Sequence, residues 1–409
     1  MQPELQHEQW SSRLTFIFAA VGSAVGLGNI WKFPYMAGVS GGGAFVLVYF
    51  FCAALVALPI MMAELLIGRR GRLSPPRSME RLAADGAHSR HWKKVGWIGV
   101  LAAFLILSFY SVIGGWATAY VPKFVAGTFR GADAAAVGAQ FDAMLADPVT
   151  LFIWHTIFMI ATVWFVARGI SGGIEKAVNF MMPSLFILLV ALVIYAAVEG
   201  DFAKGAWFLF HFDFSKITPA VVLAAMGQAF FSASVGLGTM MTYGAYLPRS
   251  VHIPRAAGTI VVADAFVALL AGLAIFPIVF ANGLDAGSGP GLVFVTLPLA
   301  FGAMPGGMLF GALFFILIVF AALTSSISLL EPVTSYAEER GGIPRRVLAV
   351  VIGIVIWALG LFTVFSFNLW ADVHPLGMIE RFREATFFDL IDYATSNIFL
   401  PLGGFFIAI

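Results

Sequence analysis

The chain has 409 residues, of which 60% are hydrophobic and 11% charged, with a formal net charge of +1. Soluble domains carry roughly 25% charged residues, so this composition belongs to a chain immersed in lipid. It excludes the basic footprint of a nucleic-acid partner. The single cysteine, Cys52, excludes a disulfide framework or a cysteine-based metal centre and reads as a small buried side chain.

The start, Met1–Trp10, is polar with no basic run, and the apolar stretch that follows is too long for the core of a cleaved signal. The N-terminus is expected to stay with the mature protein. Ten apolar segments then follow, at 14–37, 43–68, 95–124, 150–168, 174–198, 217–247, 254–281, 305–336, 346–366 and 385–409. Each is close to or longer than the ~20 residues that cross a bilayer, so the whole chain, 1–409, reads as one membrane domain. With the N-terminus inside, sixteen lysines and arginines fall on the inner side, eight of them in the loop 69–94, and six on the outer side. That asymmetry predicts a multi-pass protein of the cell's inner membrane with a cytoplasmic N-terminus. The outer loops 199–216 and 282–304 are long enough for short helices, and Gly287-Ser288-Gly289-Pro290-Gly291 marks a turn in the second. The chain stops at Phe405–Ile409, still apolar, as expected of a shortened version of a longer protein that ends within span 10.

The tetrapeptide Val-Gly-Leu-Gly occurs twice, at Val25–Gly28 in span 1 and Val235–Gly238 in span 6. Glycine in a helix interior weakens it, and an unwound backbone at membrane depth is tolerated only where protein or a watery cavity surrounds it. A matched pair of interrupted spans points to the binding site of a secondary transporter. Five spans per half is an odd number, so the halves, about 10–198 and 217–409, are inverted repeats. Alternatively, Gly22 and Gly26 form a small-residue helix interface.

Unwinding at Gly22-Ser23-Ala24-Val25-Gly26-Leu27-Gly28-Asn29 would expose carbonyls that suit a cation and N–H groups that suit a carboxylate. In span 8, Leu323-Thr324-Ser325-Ser326 offers three hydroxyls, which either bond back to their own helix or ligate a hard cation such as sodium. Ionisable residues within spans are Lys32, Glu64, Asp264 and Glu331. Glu64 reads equally as a structural acceptor for the unwound span 1 and as transport chemistry. Asp264 has no base near it in sequence and needs a cation beside it or a proton on it. Glu331 has no assignable role, and His155 reads as hydrogen-bonded packing. No HExxH, GxSxG or P-loop motif is present, so no enzyme chemistry is expected.

The motifs Trp10-Ser-Ser-Arg13, Gly22–Pro34 (GSAVGLGNIWKFP), Gly41–Phe45 (GGGAF), Gly227–Phe231 (GQAFF) and Leu323–Ser326 resemble the neurotransmitter:sodium symporter family, particularly its bacterial amino-acid transporters. The resemblance covers nearly the whole chain. It implies an all-α membrane protein of the LeuT-like fold, with 5+5 inverted repeats and spans 1 and 6 unwound at the midplane. It further implies two sodium ions. One takes Gly22, Val25, Ala321, Thr324 and Ser325; the other takes Ala24, Asn29, Ser232 and Asp264, with the substrate carboxylate. The family often carries Thr and Asn where this chain has Ser232 and Asp264.

By the same resemblance, the substrate pocket is lined by Ala24, Gly26, Leu27 and Gly28, then Ile106 and Tyr110, then Phe231, Ser232, Ser234 and Leu237, and finally Ser325 and Leu329. Tyr110 would bind the carboxylate and Phe231 would roof the site. Monoamine members carry Asp at the Gly26 position, so glycine there implies an α-amino acid that brings its own carboxylate. Lys32 and Asp392 match an outer gate, with Asp389 a nearby competitor for Asp392. Trp10, Tyr246 and Glu339 match inner gate positions, where His7 replaces the usual Arg. Chloride-dependent members bind the anion with a Ser where this chain has Ala268, with Tyr49 and Gln228 at other parts of that site; chloride is not expected here. The resulting expectation is a sodium-coupled symporter of a small apolar α-amino acid. The alternative is a transport-inactive amino-acid-binding receptor or a truncated family member.

Overall fold

The computed structural model describes residues 8–287 and 291–409. His7 of the inner gate and the central residues of the Gly287–Gly291 turn lie outside the described residues.

Among the described residues, eight helices are long and apolar enough to cross a membrane, and a bent pair makes up to nine. The pair is span 1, Arg13–Ala24 and Gly28–Val39, bent by 48° at its break. Spans 2 to 5 are Gly43–Gly71, Arg90–Val125, Pro148–Val166 and Ile170–Glu199. Spans 7 to 10 are Ile253–Ala281, Gly307–Glu338, Arg345–Ser366 and Phe387–Ala408. The remaining apolar segment, span 6, is divided into Pro219–Ser232 and Thr239–Ala245, and neither half is long enough to cross alone. Apolar length therefore undercounts this chain where its backbone is broken.

Burial sorts the spans. In spans 3 and 8, 78% of the apolar window is buried within the protein, whereas spans 4, 9 and 10 bury a third or less and turn the rest outward. Spans 3 and 8 thus form the wall against which the broken spans 1 and 6 are held. The outer loops contain the helices Phe202–Phe210 and Leu292–Ala303, as their length suggests. The basic loop 69–94 contains an amphipathic helix, Pro75–Asp85, which apolar counting misses. Its first turn carries two prolines, whose fixed φ suits helix entry.

The two copies of Val-Gly-Leu-Gly break their helices differently. In span 6 the chain enters the left-handed region three times, at Ser234 (φ +52°), Gly236 (φ +85°) and Gly238 (φ +71°). In span 1 neither glycine has a positive φ; the break is one extended residue, Val25 (φ −73°, ψ 103°). Here glycine serves close approach. A Cβ on Gly26 would lie 2.4 Å from the Ser325 hydroxyl oxygen and 2.7 Å from that of Tyr110.

Candidate functional site

The breaks of spans 1 and 6 face spans 3 and 8 around a small cavity of about 30 Å³. Span 1 contributes Ser23, Ala24, Gly26 and Gly28; span 3 contributes Ile106 and Tyr110. Phe231, Ser234 and Leu237 come from span 6, and Ser325 and Leu329 from span 8. Ten of the expected residues therefore meet here, and Ser23 joins them. Two of the expected residues stand outside the cavity's lining. Leu27 does not line the cavity; its N–H instead donates to the Tyr110 hydroxyl at 3.1 Å. Ser232 turns away from it and donates to Asp264 at 2.7 Å. The cavity is too small for an amino acid as it stands, so such a ligand enters only if the walls move outward.

Oxygen atoms crowd behind this cavity. The Ser325 hydroxyl lies 3.3 Å from the carbonyls of both Gly22 and Ser23 and 3.4 Å from that of Val25. One O–H hydrogen cannot serve three carbonyls, so the group has spare electron pairs. Thr324, the preceding residue, places its hydroxyl 3.1 Å from the Ala321 carbonyl. The break at Val25 is what frees these carbonyls from helical bonding. Both hydroxyls are buried, and the set has the neutral oxygens that hard cations take.

A second polar group surrounds Asp264, which is buried among neutral donors. Ser232 and Tyr49 donate to one carboxylate oxygen at 2.7 and 3.1 Å, and the Asn29 amide donates to the other at 2.7 Å. The same amide nitrogen reaches the Asp264 carbonyl and the Ser232 hydroxyl, each at 3.0 Å. Three oxygens thus converge on one amide NH₂, and rotating that amide by half a turn would place its own oxygen among them. Ala24 stands in the adjoining cavity wall. Ala268, one turn beyond Asp264, is buried and carries no polar atom on its side chain. Gln228 donates to the Gly28 carbonyl at 2.7 Å and ties span 6 to the break of span 1.

Glu64 corrects another expectation. Its carboxylate accepts the N–H of Gly236 at 2.6 Å, so it supports the unwound span 6 rather than span 1. The signal was positional only: an acid near the end of span 2 names no partner.

At the end of the bundle away from the N-terminus, Lys32 and Asp392 do not form the expected ion pair. The Lys32 ammonium sits 4.3 Å from the centre of the Phe231 ring, a cation–π contact, although Asp392 lies within electrostatic reach. Asp392 accepts from Ser396 at 3.0 Å, while Asp389 is committed to a capping box with Thr386. The N-terminal end is closed. Trp10 is buried, its indole donates to the Tyr243 carbonyl at 3.0 Å, and its ring meets Tyr243 edge-on. Tyr246 donates to Glu331 at 2.8 Å, and Glu331 pairs with Arg345, which also binds Glu338 at 2.9 Å. Glu331, without a role in the sequence, is thus the buried centre of this end. Glu339 accepts from the backbone and hydroxyl of Ser74 and faces Arg77.

A broken-helix membrane bundle with paired oxygen-rich clusters at its centre is the architecture of a secondary transporter. The model of the Sodium:neurotransmitter symporter family matches residues 7–130 and 144–382, and the chain belongs to that family of transporters, which are not enzymes. An uncharacterized sodium-dependent transporter of Bacillus subtilis, YhdH, is 40% identical over 98% of this chain and 86% of its own length. Another, from Haemophilus influenzae, is 33% identical over 97% of this chain and 87% of its own. Among solved structures, MhsT in complex with L-phenylalanine superposes with a TM-score of 0.89 at 43% identity, over 98% of this chain and 89% of that one. The fold is LeuT-like.

Proposed function

We propose that the chain is a sodium-coupled symporter that moves a small apolar α-amino acid by alternating access. It works as one domain of two inverted repeats, about 10–198 and 217–409. The observation that carries this reading is the Tyr110 hydroxyl at the break of span 1. It accepts the Leu27 N–H and lies beside the Ser325 hydroxyl at the cavity wall, where its own O–H can turn to donate to a carboxylate that enters. Gly26 has no room for a side chain, so no protein carboxylate can stand there and the negative charge comes with the ligand. Ile106, Phe231, Leu237 and Leu329 leave the ligand's side chain among apolar groups. The L-phenylalanine in the MhsT structure supports the same class.

Sodium occupies two places. Gly22, Val25, Ala321, Thr324 and Ser325 hold one ion. Ala24, Asn29, Ser232 and Asp264 hold the other, with the ligand carboxylate. Asp264 supplies a fixed negative charge beside the second ion, so transport does not depend on chloride. The N-terminus is cytoplasmic and the membrane is the inner membrane, in line with the lysine and arginine asymmetry.

The test is uptake of labelled phenylalanine and leucine into proteoliposomes under an inward sodium gradient, with potassium as control. Accumulation above the external concentration in sodium alone, and its loss in the Thr324→Val, Ser325→Ala double variant, is the expected result. Binding without accumulation would make the protein a receptor, and purely downhill flux would make it a channel.

A further inference from the structure

Spans 4 and 9 leave a groove of about 610 Å³ on the outer surface of the bundle, apart from the central cavity. Ile160 and Trp164 of span 4 and Val350 and Ile354 of span 9 line it and are exposed. Its floor is closed, because Gly353 packs so tightly on Val163 that a Cβ there would lie 2.3 Å from the Val163 side chain. One end is sealed where the Trp357 indole donates to the Thr156 hydroxyl at 3.0 Å. Arg168 and Arg346 stand at the other end. That end faces the same side as the N-terminal segment, since Glu8 accepts the N–H of Ile170 at 2.9 Å, two residues beyond Arg168.

The two arginines differ from their neighbours. Arg345 is paired with Glu331 and Glu338, and Arg77 with Glu339. Among the described residues, Arg168 and Arg346 pair with no carboxylate. The Arg168 guanidinium lies over Trp164, 3.6 Å from the ring centre, a cation–π contact that leaves N–H donors for a phosphate. From Thr156 to Val166, its last residue, the helix rises about 15 Å at 1.5 Å per residue, and Arg168 follows two residues on. One leaflet of a ~30 Å hydrocarbon core is about 15 Å deep. The groove is therefore one leaflet long, apolar along its length and cationic only at the interface.

We propose that this groove binds an anionic phospholipid, with its phosphate on Arg168 and Arg346 and an acyl chain lying along Ile160, Val350 and Ile354. A free phosphate uses none of the apolar length. A second copy joined by a two-fold contact here would bring like charges together. Unpaired arginines at a membrane interface attract anionic headgroups, and the groove adds a place for the chain.

The experiment is native mass spectrometry of the delipidated protein in detergent, with phosphatidylglycerol or phosphatidylcholine added at equal concentration. The expected result is at least fivefold greater retention of phosphatidylglycerol. The Arg168→Gln, Arg346→Gln variant should lose that preference, and Arg168→Lys, Arg346→Lys should keep part of it. Ile354→Trp, which fills the groove, should lower retention of both lipids. All variants are first checked for unchanged elution and unchanged melting temperature without lipid. Equal retention of the two lipids, or a preference that survives Arg168→Gln, Arg346→Gln, would overturn the proposal. So would full displacement of phosphatidylglycerol by glycerol phosphate, which would make this a simple anion site. A dimer without lipid preference that Ile354→Trp dissociates would assign the face to a second copy.

Discussion

In the proposed symporter, Gly26 and Tyr110 divide the recognition of a ligand between a space and a hydrogen bond. The Tyr110 oxygen takes the Leu27 N–H at 3.1 Å, and in the proposed symporter its hydrogen goes to the ligand carboxylate. Tyr110→Phe should therefore weaken binding by about 1.5–3 kcal/mol, the value of a hydrogen bond to a charged group, or roughly tenfold to a hundredfold. Competition binding with phenylalanine checks the magnitude, and undiminished affinity would remove the carboxylate from this position. Asp264 separates two further readings. If its charge offsets a cation, Asp264→Asn should impair uptake, and Asp264→Asn with Ala268→Ser should recover activity in chloride but not in gluconate. If it is a protonated member of its hydrogen-bond cluster, Asp264→Asn should be tolerated in both media. Strong chloride dependence of the unaltered protein would reject the charge-offset account.

The repeated tetrapeptide marks both interrupted helices in sequence, but not how either is held open. In span 6 the break depends on backbone conformation. Gly236 has φ +85°, and a Cβ there would lie 2.7 Å from the Leu400 carbonyl of span 10. Gly236→Ala should thus lower the melting temperature even without ligand, since an L-residue held in the left-handed region costs about 1–2 kcal/mol before any clash. In span 1 the Cβ of Gly26 would crowd side chains instead, the Ser325 hydroxyl at 2.4 Å, the Tyr110 hydroxyl at 2.7 Å and the Ser325 Cβ at 3.3 Å, and its backbone needs no positive φ. Gly26→Ala should then lower the unliganded melting temperature less than Gly236→Ala does, and abolish stabilisation by amino acid. Equal losses in both variants would show that the breaks are held alike. The ten spans were legible because hydropathy depends only on local composition. The Glu64–Gly236 bond was not, because it joins residues 172 apart through a packing of spans 2 and 6 that no local pattern encodes. The helix Pro75–Asp85 escaped for a different reason, being amphipathic rather than apolar.

At the scale of the whole molecule, the two ends differ in how they are shut. The end away from the N-terminus has Lys32 laid on Phe231 and no direct ion pair with Asp392. The N-terminal end buries Trp10 under Tyr243 and Tyr246 and ties Tyr246 through Glu331 to Arg345, joining the segment before span 1 to spans 6, 8 and 9. Sequence pointed to Trp10 and Tyr246 by family likeness. It missed the pair beneath them, because Arg345 counted only as one more inner-side cation. Removing Arg345 leaves Glu331 buried and unpaired, a change that costs about 3–5 kcal/mol and favours any arrangement in which water reaches the carboxylate. Arg345→Ala should therefore shift the population toward a state open at this end. Cys52 is the only cysteine, so Cys52→Ala with Ser335→Cys places a single reporter beside the pair, at a residue buried in the closed end. In inside-out vesicles, a membrane-impermeant maleimide should label it at least tenfold faster with Arg345→Ala than without. Replacing both partners, Glu331→Gln with Arg345→Met, leaves no lone charge and should return the rate toward the parent's. Equal labelling in all three would mean that the ion pair is packing alone and that closure rests on the Trp10 cluster.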